Sequence, residues 1–252
     1  MLLDSSIKIL KFLPPELAHN ITINALKYIK FNYEKIDDPI LSQHLIGLDF
    51  QNPIGLAAGF DKNAEVVKSM FSLGFGFVEV GTITPKPQKG NPKPRIFRID
   101  KESAIINSLG FNNKGSKKVK KNITKLKNSF FGNKIIGVNL GKNKDSINSI
   151  DDYLIGMDHL GSLANYITIN ISSPNTLGLR DLQLRGNIED LIKKIVKKRE
   201  EIESTSKKPI FIKISPDLND DQLRDIALIS LANNIDGLIL TNTTVDRPNN
   251  FL

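Results

Sequence analysis

The sequence has 252 residues with 40% hydrophobic and 25% charged side chains, a net charge of +8 and no cysteine. That length can bury the core of one large domain or two small ones, and the composition excludes disordered, collagen-like and coiled-coil classes. Without cysteine there are no disulfides, thiolate metal sites or cysteine nucleophiles, and no apolar run reaches the roughly 18 residues of a membrane-spanning helix.

Residues 1–40 open the chain. Ile7, Leu10 and Phe12 suggest a short helix, and Leu17, Ile21, Ala25 and Tyr28 form the stripe of a longer one. Pro14-Pro15 separates them, as suits a first helical turn. Asp4 and Lys8 lie in the first turns and no small-residue cleavage site follows, so no cleavable signal peptide is expected. By composition the pair reads as a helical cap; an interfacial membrane element is the alternative.

From residue 45 short apolar runs recur at Pro53–Gly59, Phe77–Gly81, Ile135–Leu140, Tyr166–Ser172, Pro209–Ser215 and Gly237–Thr243. Helical segments lie between most of them: Ala64–Leu73, Ile188–Glu203 and Asp220–Asn233, the last with Asp220 as N-cap. Near-continuous apolar strands alternating with helices predict a parallel sheet. Pro94–Asp100 and Ala104–Leu109 read as an inserted β-hairpin.

A lysine-rich helix follows the hairpin. Residues 113–134 hold eight lysines and no acid. Val119, Ile123 and Leu126 sit at i, i+4, i+7, so the lysines read as the solvated face of an amphipathic helix. A nucleic-acid or anionic-membrane patch is the other reading, but no aromatic residue interleaves for base stacking.

Each predicted strand ends in polar or glycine residues, as in Gly59-Phe60-Asp61-Lys62 and Asn170-Ile171-Ser172-Ser173. In a (β/α)8 barrel such ends converge on one mouth. An open doubly wound sheet also binds at strand ends, but no GxGxxG or GxxxxGK[ST] is present. The predicted fold is therefore an α/β TIM barrel. Six of its eight βα units are visible, so the chain is expected to be incomplete at its C-terminus.

Several residues at these ends can carry chemistry. Lys62 can hold a carboxylate, or be one half of a surface Lys–Asp pair. Lys213 lies inside Ile210-Phe211-Ile212-Lys213-Ile214 and should point into the barrel toward an anion, because lysine is costly in a buried strand without one. Asn139, Asn170, Asn175 and Asn242 offer donor and acceptor together, which suits a heterocycle with imide and carbonyl groups. Ser173 reads by chemistry alone as a turn serine, since a hydroxyl is a poor base unless its proton is relayed onward. Thr176–Asn187 is a lid or a long connection. His19, His44 and His159 are scattered, and no metal site is expected.

Six motifs carry a resemblance: residues 52–63 (NPIGLAAGFDKN), 81–98 (GTITPKPQKGNPKPRIFR), 107–113 (NSLGFNN), 137–143 (GVNLGKN), 170–176 (NISSPNT) and 241–244 (TNTT). Together they are similar to the dihydroorotate dehydrogenase family, in its quinone-dependent, membrane-associated class 2. The resemblance runs from about Leu13 to Arg247. It implies FMN as cofactor, contacted at Ala58, Gly59, Phe60, Asp61, Lys62, Thr82, Asn139, Asn170, Lys213 and Thr241. It implies substrate contacts at Lys62, Asn107, Ser108, Leu109, Gly110, Phe111, Asn170, Asn175, Asn242 and Thr243, and Ser173 as catalytic base. In the family that base takes a proton from C5 of dihydroorotate while hydride passes from C6 to the flavin, and quinone then accepts the electrons, in de novo pyrimidine (UMP) biosynthesis. The missing cysteine and the N-terminal extension both agree with class 2 rather than the cytosolic class.

The resemblance turns residues 1–40 into a peripheral membrane and quinone-access domain, and residues 41–252 into an FMN-binding barrel domain incomplete at its C-terminus. It implies a monomer on the cytoplasmic side of the cell membrane, with dihydroorotate, orotate and a membrane quinone as partners and no nucleic acid. Two alternatives stand beside it: another FMN-dependent barrel oxidoreductase, and an inactive truncated fragment. Expressed alone, the 252-residue chain is expected to be poorly soluble, colourless and inactive.

Overall fold

The computed structural model describes residues 10–29, 38–129, 134–202 and 208–247. Ile7, Glu203 and the C-terminal Asn249–Leu252 lie outside these residues.

Leu10 and Lys11 are helical, and after Pro14 a longer helix, α1, spans Pro15–Leu26 with proline in its first turn. It has two apolar stripes, and the structure buries the less obvious one. Ala18, Ile23 and Leu26 pack inward, whereas Leu17, Ile21, Ala25 and Tyr28 face outward. Sequence periodicity found the outward stripe. A helix apolar on two sides does not itself say which side meets the core.

A hairpin not anticipated from sequence follows: β1 (Gln43–Leu45) and β2 (Leu48–Phe50) pair antiparallel. Its two-residue turn, Ile46-Gly47, has positive φ at both positions, the geometry that matches the twist of paired strands.

Six strands form one parallel sheet in the order β3 (Gly55–Leu56), β4 (Phe77–Ile83), β7 (Ile135–Leu140), β8 (Tyr166–Asn170), β9 (Ile210–Lys213) and β10 (Gly237–Ile239). The successive connections carry α2 (Val67–Ser72), α3 (Ser116–Ser129), α4 (Ser149–Leu160), α5 (Arg185–Ile202) and α6 (Asp220–Ala232). The second connection also holds the antiparallel pair β5 (Ile96–Ile99) and β6 (Ala104–Asn107), the predicted insert. Most strands are shorter than their apolar runs, because the run continues into the loop at the strand end. Helix α4 was missed, although Ile150, Tyr153, Met157 and Leu160 form its buried stripe. The N-cap of α6 is Asn219, not Asp220: Asn219 and Gln222 exchange bonds in a capping box.

Alternation along the strands builds two layers. Val78, Val80, Ile136, Val138, Ile167, Ile169, Ile210 and Ile212 join the main hydrophobic cluster with the helices. The alternate residues face the concave side, where Phe77, Tyr166 and Phe211 lie beside glycines on neighbouring strands. A Cβ on Gly55 would stand 2.1 Å from the Phe77 ring, and one on Gly137 would stand 2.1 Å from the Tyr166 ring. Tyr166 and Phe211 meet edge to face at 5.3 Å. Residues of β3, β4, β8, β9 and β10 line one inner cavity of about 310 Å³, so the sheet curls until its outer strands share a common interior.

Candidate active site

The C-terminal ends of the strands open on a cleft of about 170 Å³. It is lined by Ala58, Gly59 and Lys62 after β3, and by Thr82 of β4. Asn107, Leu109, Gly110 and Phe111 enter from the end of the hairpin. Asn170, Ser173 and Asn175 follow β8, Lys213 ends β9, and Asn242 and Thr243 follow β10. These are residues the sequence named. Phe60, Asp61, Ser108, Asn139 and Thr241 are not among the lining residues.

Asn139 lies beneath the lining, fully buried, and is a hub. Its Oδ1 accepts from Thr82 Oγ1 at 2.6 Å and from Asn170 Nδ2 at 3.1 Å. Its Nδ2 donates to Glu79 Oε1 at 2.8 Å, and Thr168 Oγ1 donates to Glu79 Oε2 at 2.9 Å. Glu79, 5% exposed, therefore orients the Asn139 amide from below. The sequence reading missed Glu79. Its signal was a carboxylate inside the apolar run Phe77-Val78-Glu79-Val80, the same sign that revealed Lys213.

Lys213 is 8% exposed and its ammonium has neither an ion pair nor a hydrogen bond among the described residues. It borders both the cleft and the inner cavity that Glu79 lines. A buried, unpartnered cation of this kind calls for an electron-rich ligand.

Lys62 and Asp61 do not pair. The Asp61 carboxylate, 1% exposed, accepts from the backbone of Asn63, Glu65 and Val66 and shapes the turn. Burial raises its pKa against the pull of those donors. The Lys62 ammonium donates to Gly59 O at 2.8 Å. Desolvation, followed by the Arg95 cation nearby, draws its pKa down to about 8.

The segment after β8 is held from several sides. Asn175 N donates to Ser173 Oγ at 3.3 Å, and Asn175 Nδ2 to Asn107 O at 3.2 Å. Asn242 Nδ2 donates to Ser172 Oγ at 3.0 Å. Arg180 ties the segment to the next strand ends, pairing with Asp217 at 2.8 Å and donating to the carbonyls of Ser172 and Thr243. With Leu179 and Leu182 buried, Thr176–Asn187 is an anchored connection at this end. Asn91, also missed, bridges Ser108 O and Asn175 O through one amide.

A larger cavity of about 690 Å³ lies between α1 and the strand-end loops. It shares Gly59, Lys62, Asn107 and Leu109 with the cleft, so the two adjoin. Arg95, 5% exposed, fixes α1 beside it through both carboxylate oxygens of Glu16, at 2.6 and 3.2 Å. Arg98 reaches the carbonyls of Lys11 and Leu13. Among the described residues no helix is long and apolar enough to cross a membrane, and no group of three or more His, Asp or Glu side chains is placed to hold a metal.

Comparison with known proteins places this geometry. The family model described as dihydroorotate dehydrogenase matches residues 40–251. A dihydroorotate dehydrogenase (quinone) of Bartonella tribocorum is 50% identical over 237 residues, covering 93% of this chain and 65% of that protein. One of Rhizobium leguminosarum is 49% identical over 236 residues, covering 92% and 64%. The chain thus spans about 65% of the length of these curated relatives. In three dimensions it superposes on the crystal structure of DHODH in complex with ferulenol from Eimeria tenella, with a TM-score of 0.88 and 46% identity over 94% of this chain and 69% of that one. Six parallel strands joined by helices in the manner of a barrel, a polar cleft at their C-terminal ends and this degree of identity agree, and the chain belongs to the dihydroorotate dehydrogenase family.

Proposed function

We propose that this chain forms the substrate cleft and part of the flavin site of a quinone-dependent dihydroorotate dehydrogenase, which oxidises dihydroorotate to orotate in pyrimidine biosynthesis. The observation that carries this reading is the convergence of Lys62, Asn107, Asn175, Asn242, Ser173 and Lys213 on one small cleft. Dihydroorotate has one carboxylate and a ring edged with imide and carbonyl groups, which a cation and several amides can recognise.

A bound FMN would supply the hydride acceptor and pass the electrons to quinone. The residues present suit such a ring. Lys213 offers a buried, unpaired ammonium to its electron-rich end, while Ala58 and Gly59 leave room for it beside Thr82. Each of the other residues then has a task. Lys62 holds the substrate carboxylate, the three asparagines fix the ring, and Ser173 Oγ takes the C5 proton. A serine needs that proton relayed onward. Thr176 Oγ1, buried and without a hydrogen-bond partner among the described residues, is a hydroxyl available in the same loop.

Residues 1–40 would form the quinone-access domain and meet the membrane from the cytoplasmic side, with residues 41–252 as the barrel domain. The outward stripe of α1 and the cavity beneath it support this assignment.

Lys62 supplies two tests. Lys62→Ala should weaken orotate binding by roughly 10- to 100-fold, as for one charge-assisted contact. Isothermal titration of a full-length, flavin-loaded form measures this, and unchanged affinity removes Lys62 from the carboxylate site. Affinity should also depend on pH. Lys62 is cationic below its pKa of about 8 and loses its charge above it, so the orotate affinity should fall as pH rises through that value. Bound carboxylate favours the charged form and moves the midpoint upward. A flat profile in wild type, or the same profile in Lys62→Ala, contradicts the assignment.

A further inference from the structure

The lysines of α3 are not spread evenly around the helix. Within α3, Lys117, Lys118, Lys120, Lys121 and Lys125 are all exposed, and the exposed Lys114 lies just before the helix. Val119 and Ile123 hold the opposite side in the core, each fully buried. No acidic residue lies between Ser116 and Ser129.

The tertiary structure sets this face beside α1. Asn122 Nδ2 donates to Asn63 O and Lys114 N to Asn63 Oδ1, both at 2.8 Å, which pins the first half of α3 to the loop after β3. In that loop Glu65 takes Lys27 of α1 at 3.0 Å and Lys114 at 2.8 Å. One carboxylate thus joins the end of α1 to the start of α3 and leaves an excess of positive charge. On the neighbouring α4, Asp152 is engaged by Asn143 N and Asp158 by Lys198, and Asp151 is exposed. Meanwhile α1 leaves Leu17, Ile21 and Tyr28 exposed at 47%, 43% and 84%.

We propose that the lysine face of α3 docks on the anionic headgroups of a bilayer, next to the apolar stripe of α1. An exposed apolar stripe is unfavourable in water, and lysines arrayed beside it complement a surface that is negative outside and apolar beneath. Nucleic acid fits less well, because no aromatic side chain interleaves with the lysines for stacking. For its orientation the inference rests on the membrane contact proposed for residues 1–40. It adds a separate electrostatic contact in the barrel.

The test is co-sedimentation of the full chain with vesicles of phosphatidylcholine, alone or mixed with phosphatidylglycerol. Each lysine near an anionic surface raises partition roughly fivefold. With three of these lysines against the surface, the mixed vesicles should bind on the order of 100-fold more tightly than the neutral ones, and added salt should erase the difference. The variant Lys117→Glu/Lys118→Glu/Lys121→Glu should lose that difference while keeping the wild-type melting temperature and neutral-vesicle binding. Its new acids sit in the first turns of α3, where the helix dipole tolerates them. Equal partition of wild type to both vesicle types overturns the proposal, as does a variant that retains the preference. Tighter binding to a short DNA duplex than to mixed vesicles at the same salt also overturns it. Neutral vesicles report on α1 alone, so failure there counts against the α1 contact, while the preference for anionic vesicles judges the lysine face.

Discussion

In a full-length, flavin-loaded form, Ser173→Ala should lower the rate of flavin reduction by dihydroorotate roughly 10²- to 10⁴-fold, the range for losing one positioned general base. The side chain is 6% exposed and lines the cleft, so little bulk water is at hand to take its place. Its Oγ accepts a bond from Asn175 N, which leaves the hydroxyl proton free to pass on. The substitution removes one oxygen and no packing group, and Asn175 remains anchored to Asn107. Orotate affinity and flavin absorbance should therefore stay near wild type. The deficit should shrink at high pH, where hydroxide partly replaces the base. Stopped-flow reduction across a pH series measures all of this. Wild-type rates in the variant would return Ser173 to the role of a turn residue.

Glu79→Ala should destabilise the fold by roughly 3 kcal/mol or more. The carboxylate accepts from Asn139 and Thr168 within the barrel. Burial, followed by the nearby charge of Glu79, raises the pKa of the Tyr166 hydroxyl. Truncation strands these donors away from water, and each unsatisfied group costs about 1–3 kcal/mol. It also removes the carboxylate that shares the inner cavity with the Lys213 ammonium. Glu79→Gln keeps the volume and one acceptor, so it should fall between wild type and alanine. Urea unfolding ranks the three without any ligand. An alanine variant as stable as wild type would show that the Asn139 network holds itself together. In the ordered series, loss of Glu79 should also loosen the Thr82–Asn139–Asn170 cluster under the cleft.

The sequence by itself determined the barrel architecture and most of the cleft. Strand runs such as Ile135–Leu140 were legible because a strand buried on both faces is apolar throughout, a local property. Lys213 was legible because a charge within such a run needs a reason. The motifs around Asn107, Asn170 and Asn242 were legible as a resemblance, and the structure brings them to one cleft. Glu79 was available by the argument used for Lys213 but was not drawn from it. What it does there depends on Asn139 and Thr168, 60 and 89 residues away, a distance no local pattern spans.

Only the tertiary structure decided which face of α1 is buried, because Ala18, Ile23 and Leu26 compete with Leu17, Ile21 and Tyr28 on nearly equal terms until a partner surface is present. It alone placed Glu65 between Lys27 and Lys114, and so joined the end of α1 to the start of α3. Periodicity reports which residues share a side of an element, because the helix and the strand each repeat over a few residues. It carries nothing about what that side meets, since the meeting surface is made by residues distant in the chain.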